Sequence, residues 1–386
     1  MTTWCVVKDD TGEKRGSGLN PRFLPRFALL ACIALVVISL GVALTPVSPK
    51  QPGEPPFSEQ ARAAALAETL RLQAAGEQLG SSASGAGQSS LPQTVMLLTS
   101  HARALLSPGQ TAPAGETFGT AQASTGASSS PPSPLPDSPA GLGAALAASG
   151  SQRLADAAVA DGGMARLLAA VGTAQLLQAS ALAAATGAPA PPQADPVPPQ
   201  MSGTCQGPTT SSSSSSAAPS GTSDGGASDG GAATLPAALE AAVRTELQSV
   251  YGYQLALTRL VGDPAKAAAG QLARHEALLN GAESLSLRLC VSPPLREAGY
   301  TSAPSFLAAP AAGLAGLETA ALPVYGDLVA LTEGEPRQWA ISALLGTARG
   351  AAMWGAQPDP LPGLAADPES LPALPPSPGP SRSPAG

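Results

Sequence analysis

Three residues of this chain have the types and helical settings needed for shared chemistry: Glu246, His275 and Glu318. Glu246 is the lone acid on a stripe formed by Leu239, Val243, Val250, Tyr253, Leu257 and Leu260. That stripe steps by three and four residues, as one face of a helix does. A carboxylate on such a face is expected to be buried and paired with Arg274, Arg349 or His275 across the bundle, with an acid exposed at the rim as the alternative. Carboxylate and imidazole are also the donor set of a di-iron centre in a helical bundle. That centre takes a Glu from each of two helices and a Glu-x-x-His from each of the other two. The three-residue spacing places acid and imidazole on one helix face, aimed at one metal. Here Leu272 precedes His275 by three, and the segment from Arg337 to Trp354 holds no Asp, Glu or His. The expectation is a buried polar cluster of Glu246, His275 and Glu318, with no metal ligand, cofactor-binding residue or catalytic residue assigned. Tyr251, Tyr253 and Tyr325 are expected to fill core space with hydroxyls satisfied at its edge, and Trp339 and Trp354 to pack in the core or at its rim.

Four helices must position these groups. The first runs from about Pro236 to Val261. The second opens at Asp263 and Pro264, an N-cap followed by a first-turn proline, and reaches about Leu289. The third spans about Ala311 to Leu331, with Pro323 expected to kink or split it. The fourth runs from Pro336 to near Gly355. Val250-Tyr251-Gly252 and Ala256-Leu257-Thr258 return further along the chain, in the same spacing, as Val324-Tyr325-Gly326 and Ala330-Leu331-Thr332. Such an echo marks a helical hairpin present twice. The connections within each hairpin are tight, whereas Val291 to Pro310 is long. One long crossover between two short-looped hairpins is the ferritin-like connection.

LPAALEAAVRTELQSVYGYQLAL, the helix around Arg274-His275-Glu276-Ala277-Leu278, and ARGAAMW resemble the ferritin-like domain of actinobacterial envelope proteins, domain-of-unknown-function family 4439. The resemblance is confined to residues 234–356. It implies a ferritin-like four-helix fold, and the family has no assigned activity to carry over.

The fold class expected for the whole chain is all-α. Only 3% of residues are aromatic, so any core is built from Ala, Leu and Val. The 42 glycines and 41 prolines are bunched into linkers. Residues 45–56 form a Pro-rich stalk. Residues 57–186 form a looser helical region, a candidate first bundle with helices at 57–79, 91–106, 140–161 and 163–186. Ser58 is the expected first N-cap. Residues 107–139 within that region, the insertion 187–233 with its six serines at 211–216, and the tail 357–386 are expected to be disordered.

Phe27 to Leu44 is eighteen residues without a charge, about 27 Å as a helix and enough to cross the hydrocarbon core. Lys8, Lys14, Arg15, Arg22 and Arg26 precede it, and only Lys50 follows closely. Residues 1–26 are therefore expected in the cytoplasm, 27–44 across the membrane, and the bulk of the chain outside. The segment reads as a retained single-pass anchor. A cleaved signal peptide ending at Gly41-Val42-Ala43 and a lipoprotein signal at Leu29-Leu30-Ala31-Cys32 stay open. Cys205 and Cys290 are the only cysteines that share the outer compartment, which makes them the candidate disulfide, with two unpaired thiols as the alternative.

Several function classes fail on composition. A net charge of -7 argues against a nucleic-acid partner, which would need a basic surface. With two histidines, His101 and His275, in separate regions, a Ser-His-Asp or Cys-His device lacks its parts. No phosphate-binding glycine loop or nucleophile elbow is present, so an enzyme is not expected. The expectation is a membrane-anchored structural or interaction module that meets an envelope protein or glycan. The alternatives are a small-ligand binder with an interior pocket, and a metal or redox protein with an atypical site.

Overall fold

The computed structural model describes residues 54–82, 87–106, 134–190, 205, 233–297, 299–357, 359–364 and 368–374. The expected membrane segment 27–44, most of the stalk and most of the two linkers lie outside these residues. The chain divides into Met1–Glu54 and Pro55–Gly386, and all described helices belong to the second unit. Among the described residues the protein is all-helical, without strand.

Nine α-helices lie among the described residues: α1 Phe57–Ser82, α2 Leu91–Leu105, α3 Pro139–Val159, α4 Gly162–Thr186, α5 Leu235–Leu257, α6 Asp263–Arg288, α7 Pro304–Ala308, α8 Pro310–Leu331 and α9 Gly334–Met353. Their ends follow local chemistry. Ser138 and Asp161 accept backbone N–H groups three residues on, capping α3 and α4. Gly187, with φ +66°, ends α4 in the left-handed conformation that a side chain disfavours. Ser58 does not cap α1, because the helix already starts at Phe57. Its hydroxyl instead accepts the Asp161 N–H at 2.9 Å, tying α1 to the α3–α4 turn. The cap of α6 is likewise Gly262 rather than Asp263, a one-residue shift at a helix end.

Helix α8 runs unbroken through Pro323. Pro323 and Thr319, four residues before it, are both exposed, so the carbonyl that loses its partner is on the solvent side. The crossover between α6 and α8 is not featureless, since α7 occupies 304–308.

Helices α1 with α2, α3 with α4, α5 with α6 and α8 with α9 pack as sequential pairs, and α5 lies on α8. Helix α4 packs on α8, and α9 touches both α3 and α4, so the two helical regions share an interface. One apolar core runs through both, with Leu72, Leu98, Leu146 and Leu168 on one side and Leu239, Leu328, Leu344 and Tyr325 on the other. Arg337, only 3% exposed, crosses this interface and donates to the carbonyls of Val329 and Ala160. Its cation thereby meets the C-terminal end of α3, where the helix dipole favours it. By length and composition α4 and α8 could each span a membrane, but 72% and 50% of their apolar windows are buried inside the protein. They are core helices here.

The tail departs from expectation. Its Pro-, Ser- and Gly-rich composition predicts disorder from 357 onward, yet residues 359–364 and 368–374 lie against the helices. Leu361 is 2% exposed and packs on Ala170 and Val171. Leucines between the prolines supply burial that composition alone hides, and side chains of α2 and α4 donate to backbone carbonyls of the tail.

Candidate functional site: a buried acid–histidine–acid cluster

The structure brings Glu246 of α5, His275 of α6 and Glu318 of α8 together, each 0% exposed. The imidazole lies between the two carboxylates. Its Nδ1–H donates to Glu246 Oε2 at 2.7 Å and its Nε2–H to Glu318 Oε1 at 3.0 Å. Burial by itself would lower the His275 pKa, but bonds to both acids and their charges outweigh it and raise the value to about 9. At neutral pH the ring is an imidazolium held at both nitrogens.

Two tyrosines complete the network from inside the core. Tyr325 of α8 donates to Glu246 Oε1, and Tyr253 of α5 donates to Glu318 Oε1 at 2.6 Å. Each of α5 and α8 therefore contributes an acid and, two turns on, a tyrosine, and each tyrosine serves the other helix's acid. This working repeat matches Tyr253 with Tyr325, whereas the Val-Tyr-Gly echo matches Tyr251 with Tyr325, so the two registers do not coincide. The expectation of hydroxyls satisfied at the core edge is corrected for Tyr253 and Tyr325, both 0% exposed. A hydroxyl that deep takes the acid beside it as its partner, and burial with the neighbouring acids pushes both phenols well above their usual range. Tyr251 is the one left near the edge, against Tyr300 at 5.5 Å between ring centres.

The outer layer is Trp354, Arg274 and a face of small residues on α9. The Trp354 indole N–H donates to the Tyr253 hydroxyl at 2.7 Å, while Trp339 is buried edge-on against Tyr325. Arg274 Nη1 stands 3.9 Å from Glu318 Oε2, which has no hydrogen-bond partner among the described residues. Its Nη2 donates to Thr347 Oγ1 at 3.1 Å and Ala343 O at 3.2 Å. In the register that matches Tyr253 with Tyr325, Thr347 is the counterpart of His275, so the second hairpin carries a hydroxyl where the first carries the imidazole. A Cβ at Gly350 would stand 2.5 Å from Glu318 Oε1, so glycine there gives the carboxylate its room.

The formal charges balance, with two carboxylates against the imidazolium and the Arg274 guanidinium. Such an arrangement can hold a proton firmly and fix the register of three helices. A di-iron centre does not fit it. Both imidazole nitrogens face carboxylate oxygens at hydrogen-bond distance, and α9 presents Gly346, Thr347 and Gly350 where further ligands would stand. Among the described residues no group of three or more His, Cys, Asp or Glu has a metal-holding arrangement.

Cys205 and Cys290 are joined in a disulfide, with Cα atoms 5.0 Å apart. Cys290 lies just past α6 with φ 60°, the left-handed region that non-glycine residues rarely enter. The bond fixes a point of the 187–233 insertion to that helix end. Of the partners open to Glu246, the structure supplies His275, and it adds Tyr325. The pairing of the two tyrosines with the acids is what the expectation of edge-satisfied hydroxyls lacks. Their signal was the Glu-x6-Tyr spacing, present once in each hairpin.

No curated protein and no solved structure matches this chain. Residues 238–366, which carry the whole acid–histidine–acid cluster and the first turn of the docked tail, match the model of the domain of unknown function family DUF4439.

Proposed function

We propose that the protein is a membrane-anchored, extracytoplasmic structural or interaction module, built on a ferritin-like four-helix bundle that carries no metal centre. The observation that carries this reading is the closure of the cluster. Glu246, His275, Glu318, Tyr253 and Tyr325 are all 0% exposed and bond one another, leaving no face for a substrate. A catalytic acid or base must reach a reacting atom, and these buried groups reach one another, the Trp354 indole and the Arg274 guanidinium. Their chemistry is therefore spent on holding α5, α6 and α8 in register. The pairing of α5 with α6 and of α8 with α9, across the long 289–309 connection, supports the ferritin-like topology.

The location rests on two supports: basic residues crowded before Phe27, and a disulfide between Cys205 and Cys290, a bond that persists in oxidising compartments. Through residues 27–44 the module would be held at the cytoplasmic membrane, with long Pro- and Ser-rich spacers letting it reach an envelope protein or glycan. One tagged full-length chain, purified from its own host, tests the reading. A reporter active only outside the cytoplasm, fused after Gly386, should be on, and elemental analysis should find iron and zinc far below one per chain. A cytoplasmic reporter signal or stoichiometric metal overturns it.

A further inference from the structure

The tail contacts supply a second recognition chemistry, independent of the cluster and of the envelope reading. Leu361-Pro362-Gly363-Leu364 forms a turn in which the Leu364 N–H donates to Leu361 O at 3.0 Å. Proline at the second position and glycine at φ +84° in the third give the type II pattern, where a side chain is disfavoured. Leu361 is sunk between Ala170 and Val171 of α4, with Ala104 of α2 beside it. The turn's carbonyls are then read by side chains. His101 Nε2–H donates to Pro360 O at 2.8 Å, and Arg166 Nε donates to Gly363 O at 2.8 Å. Arg166 is itself held by Asp327 of α8 at 2.6 Å. A Cβ at Gly326 of α8 would fall 1.9 Å from Gly363 O, so the turn is seated backbone against backbone. Arg103 extends the site, with Nε donating to Pro372 O at 3.0 Å beneath a second Leu-Pro pair, Leu371-Pro372.

We infer that the surface formed by α2, α4 and α8 is a peptide-recognition site for a Leu-Pro-Gly-Leu turn, and that residues 359–364, followed by 368–374, are its resident occupant. The partner it fits is a protein segment carrying the same turn, which enters as the tail leaves. A preformed turn loses little entropy on docking, and proline leaves carbonyls that need outside donors. One buried leucine and a few side-chain bonds make a clasp that can open without unfolding the helices beneath.

The probe is a labelled synthetic peptide with the sequence of residues 357–374, added to the full chain and to a chain ending at Ala356. Saturable binding is expected to the shortened chain, and binding about tenfold weaker or less to the full chain, whose own tail occupies the site. Arg166→Ala in the shortened chain should weaken binding by about tenfold, the loss expected for a charge-assisted hydrogen bond. A peptide with Gly363→Val should not bind. Absence of saturable binding to a shortened chain that keeps its helical circular dichroism, or equal binding of a scrambled peptide, overturns the inference. Should the shortened chain not fold, Leu361→Asp in the full chain decides. Proteolytic nicking of the tail should then speed up about tenfold, since the protected segment is released, and an unchanged rate overturns the inference.

Discussion

His101 lies in the first helical region and His275 in the second, both at 0% exposure, and they are held in opposite protonation states. Among the described residues no acid bonds His101. Its Nε2–H donates to a backbone carbonyl, and its Nδ1 has no hydrogen-bond partner among the described residues. Burial accordingly pushes its pKa down to about 4, with the Pro360 carbonyl offsetting only part of that. His275 feels the same penalty but has a carboxylate at each nitrogen, which lifts it to about 9. Burial alone does not decide the state of an imidazole: it keeps His101 neutral, and the two anions within hydrogen-bond reach of His275 outweigh it. The contrast extends to neighbouring groups. In the first region Ser149 Oγ, Thr173 Oγ1, two Arg153 nitrogens and both amide atoms of Gln175 are buried without described partners. In the second region the acids, histidine and tyrosines form one joined network.

The largest effect is expected from removing the cation of that network. His275→Leu leaves two buried carboxylates facing each other, and should cost about 3–5 kcal/mol, the range for breaking a buried ion pair from one side. Trp339 and Trp354 both report on this region, so urea unfolding followed by tryptophan fluorescence measures it. Leucine at all three of Glu246, His275 and Glu318 should recover much of the loss, because no charge is then buried alone. A single variant that loses less than about 1 kcal/mol would show that the acids are not held as a charged pair.

The next effect separates the two histidines by pH. For His275 the folded value of about 9 lies above the ordinary 6.5, so between these values the folded state binds more protons than the unfolded one. Its contribution is complete below pH 6.5 and is lost as pH rises through 9. For His101 the folded value of about 4 lies below 6.5, so the unfolded state binds more protons. Its contribution is present above pH 6.5 and is lost as pH falls through 4. Each arm is worth roughly 3 kcal/mol by linkage. His101→Gln should flatten the acid arm of a stability–pH profile and leave the alkaline arm intact. If both arms keep their slopes, other groups carry them.

Much of this was readable beforehand, and the failures have physical causes. Helix positions followed from apolar stripes and proline punctuation, which act over a few residues and are local. The placing of Glu246 near His275 followed from one acid on an apolar face, because a buried charge leaves few choices of partner. The tyrosine cross-pairs were hidden by a stronger distraction. Val-Tyr-Gly matches Tyr251 with Tyr325 and catches the eye, whereas the working repeat is Glu-x6-Tyr, which matches Tyr253 with Tyr325 and whose bonds run between opposite hairpins. The tail was lost to composition. Proline and serine content says that no helix forms, and says nothing of Leu361 finding Ala170 and Val171, which lie far back along the chain. His101 was missed because its partner, the Pro360 carbonyl, is a backbone atom that no motif announces.

The smallest effects give the finest test, because they compare one hydroxyl with another. Tyr325→Phe removes a donor to the Glu246 carboxylate and should cost about 1.5–3 kcal/mol, as a hydrogen bond to a charged group does. Thr173→Val removes a hydroxyl of equal burial, but one with no hydrogen-bond partner among the described residues. Valine keeps the branched shape in the same helix, so the packing around it is kept. The hydroxyl's desolvation penalty is then relieved with no bond given up, and stability should be unchanged or rise by up to about 1 kcal/mol. Urea unfolding of the two variants, followed by far-ultraviolet circular dichroism, makes the comparison. Equal losses would mean that the first region satisfies its polar groups as fully as the second, and the contrast between the two regions would fall.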